Sequence, residues 1–488
     1  MVATTSAVPS GTSSGTPSGT PPTRRSRSPW AVFAITSIGT IITTLDLSIV
    51  NVAFYDIGKD FSNARAATLS WVVTAYNIGF GSLLIIGGRT ADRLGRKRIF
   101  LIGTAGFVAS SILCGVAPNV QLLIAGRAMQ GLAAAFLTPS TLGLLLPAFP
   151  PEKRTQIVSM WGGMGALGIA AGPTVGALLI DHLGWRAAFY VNVPVCSIAL
   201  IGGWFILTET PRQVSAHRPD LLGALMITVS LASLALAISE GDRWGWGSVT
   251  TIAIFALALG LIPAFVQRCR RHREPIVNLA LFGYRTFSLA SASLLLFNVG
   301  FSAAILMNIL FLRNIWHYSV LAAGLTTCWA SITVAFTAGQ AGRLANRIGF
   351  RPVLLLGATL YAAGTILLMV RVGTTPNRWA FVPSMFIMGI GIGCTFPVLG
   401  AASVSELPPL SYATGSAINT TARQVGGVVG VATLVAVLGD GKPVLSDFRH
   451  GWVLVLIAIA GSTLFSSRIS VKPVARAAAA VPAMADGH

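Results

Sequence analysis

The chain has 488 residues, 53% of them hydrophobic and only 10% charged, with a mean hydropathy of +0.73. A soluble domain carries roughly 25% charged residues, so a water-soluble fold is excluded. The formal net charge of +19 invites a nucleic-acid reading, but the basic residues sit in short clusters between apolar runs, and no nucleic-acid partner is expected.

Residues 1–29 are Ser, Thr, Gly and Pro until three arginines appear, which reads as a disordered cytoplasmic tail. Apolar runs of about 20 residues, enough for a helix to cross ~30 Å of hydrocarbon, then recur to the C-terminal tail. We count fourteen: 30–54, 69–88, 99–117, 119–146, 157–181, 188–207, 221–239, 248–267, 287–311, 319–340, 352–371, 379–400, 412–438 and 450–467. They lack the alternation of a barrel strand, and lipid leaves open backbone groups unsatisfied, so each is expected to be a helix. The first run is long for a signal-peptide core, carries a charge and lacks a clear cleavage site, so it is expected to stay.

The clusters "RRSR" at 24–27, "DRLGRKR" at 92–98 and "RCRRHRE" at 268–274 all fall on one side of this alternation. By the positive-inside bias that side is cytoplasmic. The expectation is a multi-pass protein of the cell inner (plasma) membrane, both termini cytoplasmic, with basic loops attracted to anionic lipid of the bilayer. The five cysteines are scattered, and none forms a CxxC pair. Neither a disulfide framework nor a zinc site is indicated, so no metal is expected.

The loop after the second run reads "GRTADRLGRKR" from Gly88, and the loop after the tenth reads "GRLANRIGFRP" from Gly342, 254 residues later. The same offset carries "GPTVG" at 172–176 onto "GGVVG" at 426–430. Two matches at one offset imply duplicated halves, as in many secondary transporters. The fold class that follows is an all-α polytopic membrane protein with 14 transmembrane helices. Two pseudo-symmetric six-helix bundles (30–207 and 287–467) flank linker helices 7 and 8 with a basic cytoplasmic loop (208–286), and 468–488 forms a second cytoplasmic tail.

Two charges lie deep in these spans. Asp46, in "TTLDLSIVNVAFYDI", is about eight residues short of the outer end of span 1. Arg127 is eight residues past the outer start of span 4. At 1.5 Å per residue both sit ~12 Å below the outer surface. An arginine there cannot readily lose its proton, so Arg127 should face the interior and meet a partner, Asp46, directly or through water. Snorkelling to the outer interface is the alternative for Arg127, and a structural ion pair is the alternative for the two together. Gln130 shares the helix face of Arg127. Arg423, with Asn419 one turn before it, is a third intramembrane charge and a candidate contact for an anionic group or a backbone carbonyl.

Four blocks together resemble the major facilitator superfamily, and within it the fourteen-helix drug:proton antiporters. They are "LDLSIVNVAFYDI", "GGRTADRLGRKR", "RAMQGLAAAFLTPS" and "GIAAGPTVGALLIDHLGWRAAFYVNVP". Two departures stand out: Asn346 where the first repeat has Asp92, and Phe54-Tyr55 where such proteins often show Leu-Pro. A conformational change that alters the separation of Asp46 and Arg127 would move a proton on or off the carboxylate, so the two are the expected proton-coupling site; as a second reading, Asp46 attracts a lipophilic cation. Gly88, Asp92, Arg93, Gly95 and Arg96, with Gly342, Arg347 and Gly349, are read as a gating latch that holds the halves in one state, in which Gly88 and Gly95 permit a tight turn; the alternative is a plain basic cytoplasmic loop. Gly165, Gly168, Gly172 and Gly176 fall on one face of span 5, where Pro173 bends the helix. The resemblance ties this segment to the direction of exchange, and Gly426 and Gly430 offer a matching face in span 13. Both spans are expected at the interface of the halves. A possible substrate cavity comprises Asp46, Tyr76, Asn77, Gln130, Asn298, Asn419 and Arg423.

No G-x4-G-K-[ST] occurs, since neither "IGKD" at 57–60 nor "DGKP" at 440–443 fits, and no H-E-x-x-H or nucleophile elbow is present. An enzyme is not expected, nor a cofactor or catalytic residues. The function expected is proton-driven export of a small amphipathic drug or antibiotic by a monomer working through alternating access. The alternatives are transport of one metabolite, such as a siderophore, sugar or pigment, and a non-transporting membrane receptor.

Overall fold

The computed structural model describes residues 28–209, 220–272, 275–408, 411–439 and 443–469. The expected tails before Ser28 and after Ile469, and part of the expected linker, lie outside the described residues. Among the described residues, fourteen helices are long and apolar enough to cross a membrane: α1 (Pro29–Asp60), α2 (Ala66–Leu94), α3 (Arg96–Gly115), α4 (Val120–Leu145), α5 (Pro151–Leu183), α6 (Ala187–Ile206), α7 (Leu221–Trp244), α8 (Val249–Arg271), α9 (Arg285–Asn314), α10 (Val320–Ile348), α11 (Phe350–Arg371), α12 (Arg378–Val404), α13 (Tyr412–Leu438) and α14 (Leu445–Ser466). We call the face where α1 begins the basic face and the opposite one the far face.

Local chemistry sets the ends. The side chains of Asn119, Ser248, Ser319 and Asn377 accept from the first-turn amides of α4, α8, α10 and α12, all at the far face. On the basic face, Gly95 and Gly349 have φ of +107° and +95°, where a Cβ would be strained. These two glycines are the whole break between α2 and α3 and between α10 and α11. The expected loop at 88–98 is therefore mostly helix: Gly88, Asp92 and Arg93 belong to the last turns of α2, and Gly342 and Arg347 to those of α10. Gly88 makes no turn, and a Cβ there would sit in ordinary contact, 3.4 Å, with Pro139 of α4; the close approach is at its neighbour Gly87, which lies against the Ala135 carbonyl of α4. Likewise α1 runs on past residue 54, because Phe54 and Ile57 continue its buried face.

The packing repeats. The pairs α2/α4, α3/α4, α1/α5, α3/α6 and α1/α6 recur as α10/α12, α11/α12, α9/α13, α11/α14 and α9/α14. Small residues let these axes close, as hydrocarbon gives no hydrophobic drive between helices. Gly131 lies against the Tyr76 carbonyl between α2 and α4, and Gly391 against Gly357 and Tyr361 between α11 and α12.

Between the bundles, α2 packs on α13 and α5 on α10, an exchange that the duplication maps onto itself. Spans 5 and 13 thus both lie at the interface, but their glycine faces do not meet there. Gly168, Gly172 and Gly176 face Thr44, Ser48 and Ile49 of α1, and Gly426 and Gly430 face Leu295 and Val299 of α9. Close approaches across the interface are Gly324 of α10 on Pro173 and Ala177 of α5, and Gly81 of α2 on Gln424 of α13. The α7–α8 hairpin leans on the α2/α13 seam.

Candidate functional site

Asp46 lies midway along α1 and Arg127 on α4, and both are fully buried. Arg127 Nη1 donates to Asp46 Oδ2 at 2.6 Å, so the pair inferred from depth is in direct contact. A buried pair is held only when the remaining donors and acceptors are met, and most here are. Arg127 Nε donates to the Val72 carbonyl at 2.8 Å, and Arg127 Nη1 also reaches Gln130 Oε1 at 2.5 Å. Asp46 Oδ1 accepts from Gln130 Nε2 at 3.0 Å and from Asn192 Nδ2 at 2.8 Å. Ser111 Oγ accepts from both amides, at 2.8 and 3.3 Å. The Tyr76 ring lies 4.4 Å from the guanidinium carbon, and its hydroxyl donates to the Thr43 carbonyl. Arg127 does not snorkel. Two atoms in this knot, Arg127 Nη2 and Asn192 Oδ1, are buried without a partner among the described residues.

Sequence reasoning missed Asn192 and Ser111. The signal for Asn192 was its amide inside an otherwise apolar span, a costly placement that demands a partner. Ser111 carried no comparable signal, since a serine bonds readily within its own helix.

The remaining candidate cavity residues gather elsewhere, on the seam. Gly427 of α13 leaves room where Asn77 of α2 meets Asn298 and Ser302 of α9, each within 3.4 Å of a Cβ built there. Asn298 Nδ2 donates to the Arg423 carbonyl at 2.5 Å. Thr421 Oγ1 reaches across to the Gly81 carbonyl at 2.9 Å. The Arg423 guanidinium stacks 4.1 Å from the Phe396 ring, which joins Phe297 and Phe301. Among the described residues no carboxylate pairs with Arg423, and its Nε has no hydrogen-bond partner. Asn419 is turned away, bonded to Ser291 and Ser403.

Two members of the candidate latch, Asp92 and Arg96, meet inside the first bundle. Arg96 Nε donates to Asp92 Oδ1 at 2.8 Å, and Arg96 Nη1 donates to the Gly143 carbonyl at the end of α4, where cation and helix dipole match. Glu209 accepts from the Lys97 and Arg98 amides at the start of α3. From α2, Arg89 Nη2 reaches the Pro275 carbonyl beyond the hairpin at 2.9 Å. An ion pair that joins the bundles lies at the far face. Arg313 of α9 donates to Asp56 of α1 at 2.6 Å, stacks 4.3 Å from Tyr55 and donates to the Tyr318 carbonyl. The departure at Phe54-Tyr55 thus sits beside an interbundle contact.

Among the described residues no group of His, Cys, Asp and Glu could hold a metal ion.

Comparison with known proteins agrees with this architecture. The family model described as Major Facilitator Superfamily matches residues 36–431 and 289–478. The multidrug resistance protein Stp of Mycobacterium tuberculosis (strain ATCC 25618 / H37Rv) is 31% identical over 414 residues, 85% of this chain and 76% of that one. A puromycin resistance protein of Streptomyces alboniger is 30% identical over 480 residues, covering 93% and 95%. The tetracenomycin C resistance and export protein of Streptomyces glaucescens is 29% identical over 408 residues, covering 83% and 75%. Among solved structures, a D-xylose–proton symporter superposes with a TM-score of 0.68 at 14% identity, covering 92% of this chain and 99% of that one, and so shares the fold. An auto-inhibited POT family peptide transporter gives 0.65 at 13%, covering 92% and 98%. The chain belongs to the Major Facilitator Superfamily.

Proposed function

We propose that this protein is a proton-driven exporter of small amphipathic compounds, antibiotics among them, working as a monomer in the plasma membrane with its basic face to the cytoplasm. The observation that carries the reading is the fully buried Asp46–Arg127 pair halfway through α1, in a chain whose relatives are named for drug resistance.

A buried carboxylate that loses its cation is driven to take up a proton, and one that regains it gives the proton back. Arg127 is fixed to Val72 and Gln130 on helices other than α1, so a shift of α1 lengthens the pair without moving the arginine. Protonation of Asp46 from the far side, rocking of the bundles and release of the proton to the basic side then make one cycle. One charge crossing 100 mV supplies ~2.3 kcal/mol, which drives about a fiftyfold concentration ratio per proton. Substrate would rest on the seam, against Phe301, Phe396, Asn77 and Arg423. The gating roles of the Gly95 and Gly349 breaks belong to the same proposal.

The test is efflux from proteoliposomes under an imposed pH gradient, wild type beside Asp46→Asn. Wild-type export should rise with the gradient and the variant's should not; export by the variant that still follows the gradient removes Asp46 from the coupling. A second reading, dedicated export of one compound, is favoured by relatives named for a single antibiotic, tetracenomycin C or puromycin. A panel of unrelated antibiotics competing for export separates the two.

A further inference from the structure

The inserted hairpin carries a feature that neither bundle needs. At the basic face, the first turns of α7 and the last turns of α8 enclose a cleft of about 390 Å3 lined by Leu222, Met226, Ala264, Gln267, Arg268, Arg271 and His272. Ala264, Gln267, Arg268 and Arg271 follow helical spacing along one face of α8, so the apolar part of the cleft lies deeper than its cationic rim. Leu225, level with the cleft on α7, and Leu257, deeper on α8, are about half exposed, continuing an apolar surface toward the membrane interior.

The rim is cationic and partly committed. Arg268 Nε donates to Asp220 Oδ1 at 2.6 Å, which positions its guanidinium and leaves other N–H donors of the fork. Gln267, with its amide oxygen facing Arg271, accepts from Nε and Nη2 of that residue at 3.2 and 2.9 Å. Asp220 is an acidic residue that meets this rim, and it is buried beneath Arg268. The back of the hairpin is fixed: Ala224, Phe265 and Cys269 pack in one cluster with Ile85 and Ile86 of α2, Phe287 of α9 and Ile418 of α13. The cleft is therefore rigid behind and open in front.

An amphiphile with an anionic head and an apolar body fits this arrangement, and at the membrane surface that chemistry is a phospholipid's. We propose that the cleft binds an anionic phospholipid of the leaflet at the basic face, its phosphate on Arg268 and Arg271 and its glycerol and upper acyl segments on Leu222, Met226 and Ala264. Because the hairpin backs onto α2, α9 and α13, the bound lipid braces the basic end of the seam.

The purified full chain in neutral detergent is offered phosphatidylglycerol or phosphatidylcholine, and retained lipid is counted by native mass spectrometry. Wild type should retain phosphatidylglycerol in clear preference. Arg271→Gln should cut that preference about fivefold, the worth of one cation near a membrane surface. Leu222→Glu, at a half-exposed site that tolerates a polar group, should do the same by setting a carboxylate in the cleft. Arg351→Gln, on the same face but in the second bundle, should leave it unchanged. Equal retention of the two lipids overturns the proposal, as does a loss in Arg351→Gln matching that in Arg271→Gln, which would mean diffuse attraction. Displacement of phosphatidylglycerol by millimolar inorganic phosphate would also overturn it, since it would make the cleft a site for free anions.

Discussion

Arg313 and Asp56 join the two bundles at the far face, Nη2 to Oδ1 at 2.6 Å, and Asp56 stands on the same helix as Asp46, ten residues further along. At 1.5 Å per residue the two carboxylates are roughly 15 Å apart along one rigid rod. A shift of α1 relative to α4 that also parts Asp56 from Arg313 therefore acts on the Asp46–Arg127 contact as well. Both partners of the far-face pair are mostly buried, at 12% and 21% side-chain exposure, so the contact is only weakly screened.

Asp56→Asn should loosen that joint. A hydrogen bond to a charged group is worth about 1.5–3 kcal/mol, so the population with far-face ends apart should grow by about tenfold or more. Spin labels at Ser62→Cys and Thr375→Cys, both exposed at the far face, read the distance between bundles. A longer-distance population should appear in Asp56→Asn and recede in a charge-swapped Asp56→Arg, Arg313→Asp double variant. An unchanged distance distribution would show that the pair does not hold the bundles.

The buried pair makes a different prediction. Asp46→Ala strips Arg127 of its carboxylate in a fully buried site, and should lower stability by about 3–5 kcal/mol. Removing both charges, Asp46→Asn with Arg127→Gln, should cost less than Asp46→Ala alone, because no uncompensated charge remains. Thermal unfolding in detergent checks the order. A double variant less stable than Asp46→Ala would place the stability in the surrounding hydrogen bonds to Val72, Gln130 and Asn192.

The sequence announced the fourteen crossings because hydrocarbon permits few alternatives to a 20-residue apolar helix, and it announced the Asp46–Arg127 pair because two lone charges at one depth must find each other. It was silent on how far helices outrun the membrane. Nothing in "GRTADRLG" says that Gly88 packs against Pro139 while Gly95 alone turns the chain, since both are simply glycine. It also hid the far-face joint. Asp56 and Arg313 are ordinary charges at span ends, and only packing of α1 beside α9 brings them together.

Glycines that look alike in the repeat should respond unequally. Gly430→Ala drives a methyl into the backbone carbonyl of Val299, which cannot rotate away, and should cost about 1–3 kcal/mol as overpacking. Gly342→Ala meets nothing within 4 Å and, lying in helix, should be neutral or stabilising by up to about 1 kcal/mol. Unfolding temperatures of the two variants decide it. If Gly342→Ala is as damaging as Gly430→Ala, the basic end of α10 packs against something in another state of the protein.

Arg423 makes the prediction closest to substrate choice. Its guanidinium lies on Phe396, its Nε is unpartnered and no described carboxylate neutralises it, so the seam presents a fixed cation with stacking surface beside it. A planar compound bearing a carboxylate or an ionised phenol would meet both. Arg423→Gln should weaken export of such anionic compounds by about tenfold or more, the worth of a charge-assisted hydrogen bond, and leave lipophilic cations unaffected or improved. Arg423→Lys keeps the charge and loses the flat stacking face, so its defect should be intermediate and largest for aromatic compounds. Competition by matched anionic, neutral and cationic antibiotics in the proteoliposome assay supplies the measurement. Equal losses for all three classes would make Arg423 a structural residue of α13, held there to support Asn298 rather than to read the cargo.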